Sequence, residues 1–214
     1  MKRPKPSETA LAVRSPDAER AINEAGGDGR KLRSVRSRQR IIDALFRLIR
    51  GGDPAPTVAK IAEEANVSLR TTFRHIDDMD SLMREMGVRT EAEVRPILDA
   101  PYGSKNWREQ MNELIDRRAI VFEHVWPIKL AASLRRFRSA YLMAQYEYFL
   151  AGEREGLAEV LPAKIRRQKT KYSALLLALS FEGWRRLRQD EGLSARQTKA
   201  AVRLLVDSIL ADET

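Results

Sequence analysis

The stretch from Thr57 to Asp78, TVAKIAEEANVSLRTTFRHIDD, decides how the rest of the chain is read. Thr57 is a good N-cap for a helix in which Val58, Ile61, Ala62 and Ala65 face inward. ANVS then interrupts, and Ser68 caps a second helix carrying Leu69, Thr72, Phe73 and Ile76. The spacing predicts helices over 57–65 and 69–76, joined by three or four residues, the proportions of a DNA-reading helix-turn-helix. Ala62 and Ala65 are small enough to let two short helices cross closely. The second helix offers Arg70, Thr71 and Arg74 on an open face. Arginine pairs bidentately with guanine, threonine bonds a base edge or touches a thymine methyl, and helix N-termini bind phosphate.

Outward from this stretch the chain reads as helix throughout. From Ser34, the residues Ile41, Ile42, Leu45, Phe46, Leu48 and Ile49 form a broad apolar face, stopped by Gly51-Gly52, Pro54 and Pro56. A fourth helix starts near Asp77–Asp80 and runs through Leu82, Met86, Val94 and Leu98. Further helices are expected at about 105–124, 127–136, 139–158, 163–189 and 194–211. Their breakers are Pro127, the region of Arg138-Ser139, Pro162, and Gly192 with Ser194 as the last cap. No segment alternates with a period of two, so the expected fold is all-α. Residues 1–30 hold few large apolar side chains and are expected to be a disordered tail. The motif defines a segment 31–78, followed by a helical segment 79–214.

Composition narrows the function. The 214 residues include no cysteine, which excludes disulfides and thiolate metal sites. No apolar run approaches the ~18–20 residues that span a bilayer, and the N-terminus lacks a signal-peptide core. A cytoplasmic protein with no membrane partner is expected. Of the net charge of +9, residues 29–76 contribute +7, eleven basic against four acidic side chains. A positive field concentrated in this way suits a polyanion. With two histidines and no glycine-rich phosphate loop, few catalytic arrangements remain. His75 lies in the motif, and His124 has no carboxylate near it in sequence beyond Glu123. No catalytic residue, metal or cofactor is expected.

Residues 34–85 resemble the N-terminal domain of the tetracycline-repressor (TetR) family of transcriptional regulators, through Ile61-Ala62, Ala65, Val67-Ser68, Phe73, His75 and Leu82. The resemblance implies an N-terminal three-helix DNA-binding domain, a C-terminal helical ligand-binding and dimerisation domain, and a ligand-responsive dimer on double-stranded DNA. Asn66 departs from the family's usual Gly, but Asn tolerates positive φ. Phe73 and Met79 stand where Tyr and Lys are frequent, removing two phosphate contacts. The basic arm of Arg30, Lys31, Arg33, Arg36, Arg38 and Arg40 compensates, in a minor groove or along the backbone. The expected DNA-binding residues are Arg36, Arg38, Thr57, Ser68, Leu69, Arg70, Thr71, Thr72, Phe73, Arg74 and His75. Among them Thr57 and Ser68 both cap and touch phosphate, His75 bonds phosphate, and Phe73 chiefly packs.

Two regions of the C-terminal half carry further expectations. Apolar side chains are so dense at 174–181 that they encircle a helix, which calls for partners on several sides. With the family's C-terminal helix pair as a guide, the expected homodimer interface comprises Leu176, Leu179, Gly183, Trp184, Leu187, Leu204, Leu205 and Ile209. Aromatic residues crowd positions 137–149, and aromatic stripes are more often core than pocket. The resemblance nevertheless implies an effector cavity, for which Trp107, Met111, Phe122, His124, Trp126, Tyr141, Tyr146 and Phe149 are the candidates. The expected function is a dimeric repressor on a palindromic operator, released by a small-molecule effector. The competing expectation is an architectural DNA-binding protein, or one controlled by a protein partner.

Overall fold

The computed structural model describes residues 29–76 and 79–213, and every regular element among them is helical. The tail expected over 1–28 lies outside the described residues, as do Asp77 and Asp78. The helices are α1 (Gly29–Arg50), α2 (Val58–Ala65), α3 (Leu69–Ile76), α4 (Met79–Leu98) and α5 (Trp107–Ser133). They continue with α6 (Ala140–Val160), α7 (Ala163–Arg166), α8 (Lys169–Ala178), α9 (Phe181–Arg185) and α10 (Ala195–Ile209). A 3-10 turn spans Arg136–Arg138 and a π turn spans Arg186–Asp190. No described helix is long and apolar enough to cross a membrane.

The chain forms two compact units. The first holds the described residues through Ala92 with Pro127–Leu142; the second holds Glu93–Trp126 with the described residues from Met143 on. This division by contacts runs elsewhere than the segments 31–78 and 79–214 drawn from the motif. From residue 29 on, the first unit carries seventeen basic and nine acidic side chains, whereas the second carries seventeen and sixteen.

In the first unit, α1 supplies the buried Ile41, Ile42, Leu45, Phe46 and Ile49. They pack with Ile61 and Ala65 of α2, with Leu82, Met83 and Met86 of α4, and with Ile128, Ala131 and Leu142. Burying one such aliphatic side chain contributes about 1.5–3 kcal/mol. Ionic ties fix the register of α1 on α4. Arg38 donates to Glu85 at 3.0 Å and to Ser81 at 2.6 Å, and Arg89 donates to Asp43 at 2.6 Å. Residues 38 and 43 thus meet 81–85 and 89 in the same order along the two helices.

Pro127 does not break its helix. The expected pair at 105–124 and 127–136 is the single helix α5, with Pro127 inside it. Proline costs that helix one backbone hydrogen bond, but Val125 and Ile128 are buried on either side of it. Tertiary burial outweighs the local cost.

The reverse holds at 163–189, expected as one helix and found as α7, α8, α9 and the π turn. Ser180 ends the run by capping α9, its Oγ accepting from the Gly183 amide at 3.0 Å. A Cβ on Gly183 would lie 2.7 Å from the Leu177 carbonyl oxygen, so the tight break requires glycine there. The apolar belt at 174–181 is therefore shared between two helix segments, and Leu175, Leu179, Phe181 and Trp184 all enter the core of the second unit.

Candidate nucleic-acid interface

The α2–α3 pair is built by caps. Thr57 Oγ1 accepts from the Lys60 amide at 3.3 Å and starts α2. Asn66 ends it in the left-handed region, φ 50°, with the Val67 amide donating back to the Ala62 carbonyl at 3.0 Å. Ser68 Oγ then accepts from the Thr71 amide at 3.2 Å and lies 2.9 Å from Thr71 Oγ1, starting α3. The first helix braces this turn. Arg40 donates to the Asn66 carbonyl, and Arg47 donates to Glu64 at 2.6 Å. Ile61, Ala62 and Ala65 are buried beneath.

What α3 leaves open is a compact set. Ser68, Leu69, Arg70, Phe73 and Arg74 are exposed and Thr71 is half-buried. Neither Arg70 nor Arg74 has a carboxylate partner among the described residues. A guanidinium offers a phosphate or a base edge a fork of N–H donors. Phe73, expected chiefly to pack, is 54% exposed and joins Leu69, one turn before it, as an apolar strip beside the two arginines.

Three expected contacts sit differently. Thr72 is fully buried, with its hydroxyl donating to the Ser68 carbonyl at 3.1 Å, so it holds α3 together from inside and cannot meet a ligand. Arg38 is engaged by Ser81 and Glu85 and serves as a tie between α1 and α4, whereas Arg36 is exposed. His75 is half-buried, and its Nε2 is buried without a hydrogen-bond partner among the described residues. Burial, with the Arg74 and Arg38 charges beside it, pulls the His75 imidazole below its ordinary pKa. It therefore stands neutral near pH 7 and offers at most a neutral donor.

The expected effector residues are drawn largely into packing. Phe122 packs against Phe149, Phe181 and Trp184 at ring-centroid distances of 6.3, 5.7 and 6.1 Å, and Trp126 reaches Phe181 at 6.0 Å. Phe181, which sequence reasoning left out of this group, joins Phe122, Trp126 and Phe149 into one cluster. The void beside the cluster is about 10 Å³, lined by Arg118, Phe122, Leu179 and Trp184 among others. This is core packing, the commoner fate of an aromatic stripe. Met111 is buried in the same core, Trp107 packs against it, and Tyr146 is half-buried. Tyr141 belongs to the first unit, where the Arg84 guanidinium lies 4.1 Å from its ring centroid. His124 bonds through Nε2 to Glu93, a carboxylate 31 positions away that no local pattern could reveal. A larger depression of about 440 Å³ opens at the start of α8, lined by Gln168, Lys169, Thr170, Lys171, Ala174 and Ile209.

The expected interface set divides too. Leu179 and Trp184 are buried within their own unit, and Trp184 Nε1 donates to Glu123 at 2.7 Å. Leu176, Gly183, Leu187 and Ile209 are half-buried, and Leu204 and Leu205 are exposed. Leu177, outside the expected set, is as exposed as Leu204, both at 68%. Helices α8 and α10, which carry these two leucines, pack on each other. Comparison with protein-family models, with curated proteins and with solved structures finds no match.

Proposed function

We propose that the chain is a sequence-specific DNA-binding transcriptional regulator of the tetracycline-repressor type, a repressor that acts as a homodimer on a two-fold-symmetric site. One observation carries the reading. The short capped helix α3 displays Arg70 and Arg74, both without carboxylate partners among the described residues, beside Thr71. It does so in the unit with a net charge of +8 from residue 29 on. In this reading α2 braces α3 as the two arms of a helix-turn-helix. Arg70, Thr71 and Arg74 face base edges, Thr57, Ser68 and Arg36 meet phosphate, and Leu69 with Phe73 covers thymine methyls and sugar. The exposed Leu177 of α8 and Leu204 and Leu205 of α10 meet their copies across the two-fold axis, which removes these large apolar side chains from water.

The test is selection of bound sequences from a random duplex library at two salt concentrations. The expected result is a palindromic consensus that survives the higher salt. Binding without a consensus that collapses as salt rises would reduce the protein to phosphate contacts alone.

A second reading has its own support. The filled aromatic cluster, with about 10 Å³ beside it, favours control by a protein partner, or an architectural role, over release by a small molecule. A small effector binding only the native state at a hundred times its Kd adds about 2.7 kcal/mol of stability. A thermal-shift screen of compounds that stays flat therefore favours the partner-controlled form.

A further inference from the structure

We infer that the turn from Leu134 to Arg138 is a second DNA contact, one that grips backbone phosphates flanking the bases read by α3; it rests on the DNA-binding reading above. The segment Pro127–Leu142 carries Lys129, Arg135, Arg136 and Arg138 and no acidic residue. Its turn exposes two apolar side chains between guanidiniums, Leu134 at 59% and Phe137 at 77%. The Arg136 guanidinium lies 4.7 Å from the Phe137 ring centroid. Arg135 and Arg138 are exposed and have no carboxylate partner among the described residues. In the first unit they share that condition with Arg36, Arg70 and Arg74, while Arg38, Arg47 and Arg89 are each held by a carboxylate.

The turn is displayed by an anchored frame. Ser139 is buried and caps α6, its Oγ accepting from the Leu142 amide at 3.0 Å, and Leu142 is in the core. Tyr141 rests on α4 beside Arg84, and its hydroxyl oxygen lies 3.2 Å from where a Cβ on Gly87 would stand. Arg38 ties α1 to Ser81 and Glu85 on the neighbouring turns of the same helix. The first half of α4 therefore anchors both Arg38 of α1 and Tyr141, which follows the 134–138 turn. Arginines supply phosphate contacts, and an exposed phenyl packs on sugar without needing a hydrogen bond. A duplex is the favoured occupant because the turn and the reading helix belong to one strongly positive unit.

The experiment compares the full chain with Arg135→Gln/Arg138→Gln in equilibrium binding to its selected duplex across a salt series. Loss of two phosphate contacts per protomer, four per bound dimer, should make the slope of log K against log salt shallower by about 3.6. The consensus and the melting midpoint should stay unchanged, because both side chains are exposed. An unchanged slope with the consensus retained overturns the inference and leaves the regulator reading standing. No duplex binding by the wild-type chain overturns both. Sedimentation with phosphatidylserine–phosphatidylcholine vesicles is the second measurement. Vesicle binding that the double variant loses, with the duplex slope unmoved, assigns the turn to a bilayer and also overturns the inference.

Discussion

Arg118 and Glu153 close the break between α8 and α9 from opposite sides. The buried Arg118 donates to the Leu179 carbonyl at 2.7 Å, at the carbonyl end of α8, and to the Glu153 carbonyl. The buried Glu153 carboxylate accepts from the Phe181 amide at 2.8 Å, at the amide end of α9. A cation at a helix C-terminus and an anion at an N-terminus each match the local dipole. Burial pulls the Arg118 guanidinium below the usual arginine range, and the Glu153 charge opposes that pull. Arg118→Met should destabilise the protein by about 3 kcal/mol, because it leaves the buried Leu179 and Glu153 carbonyls without their charged donor. Urea unfolding of the two single variants and of Arg118→Met/Glu153→Gln checks this, and strictly additive losses would contradict the pairing.

Thr198 is fully buried and its hydroxyl oxygen has no hydrogen-bond partner among the described residues. Thr198→Val keeps the shape and removes an unsatisfied polar atom, so stability should rise by about 1 kcal/mol. A drop in the thermal midpoint would mean that the hydroxyl is bonded after all.

Asn66 holds φ 50° at the end of α2. Asn66→Ala should cost about 1 kcal/mol of stability, whereas Asn66→Gly should match or slightly exceed the wild type. The same order should appear in duplex affinity, since the turn sets where α3 begins. Chemical unfolding and a binding titration of the two variants are the checks.

His75 has a folded pKa below its ordinary value of 6.5. As pH falls below 6.5, the unfolded chain takes the proton first, so the stability held above that pH declines toward the lower folded pKa. His75→Gln should flatten this limb of the stability curve. Phosphate near the imidazole favours its charged form, so duplex binding should tighten over the same interval in the wild type and not in the variant. Thermal melts and binding titrations between pH 5 and 7.5 test both halves.

Leu177 and Leu204 are large apolar side chains left in solvent on two helices that pack together. The paired change Leu177→Glu/Leu204→Glu should turn a dimer into a monomer in analytical ultracentrifugation. Duplex affinity should fall by more than tenfold, since each protomer then reads one half-site alone. A wild-type chain that sediments as a monomer would remove the two-fold site from the proposal.

Local chemistry was legible in the sequence and tertiary competition was not. Thr57, Ser68 and Ser194 each cap as their position suggested, because a cap needs only its own next turn. Asn66 likewise adopts the left-handed conformation that its side chain tolerates. Pro127 misled because its cost is local while the burial of Val125 and Ile128 that offsets it comes from distant residues. Thr72 misled because a hydroxyl on a short helix reads as polar surface, yet it can turn back onto the Ser68 carbonyl and be buried satisfied. The aromatic cluster closed because Phe181, far along the chain, fills its centre. Nothing within a window of a few residues announces that.

The uneven charge of the two units has a kinetic consequence. A polyanion approaching the protein exerts its pull almost wholly on the unit with +8, and hardly at all on the unit with +1. On the proposed reading, chance collisions would thereby be turned so that the basic unit meets the duplex first, before any side chain has recognised anything. Such steering acts on the speed of encounter more than on the lifetime of what forms. Raising the salt from 50 to 200 mM should slow capture of a duplex steeply and leave much of the release rate of a matched site intact.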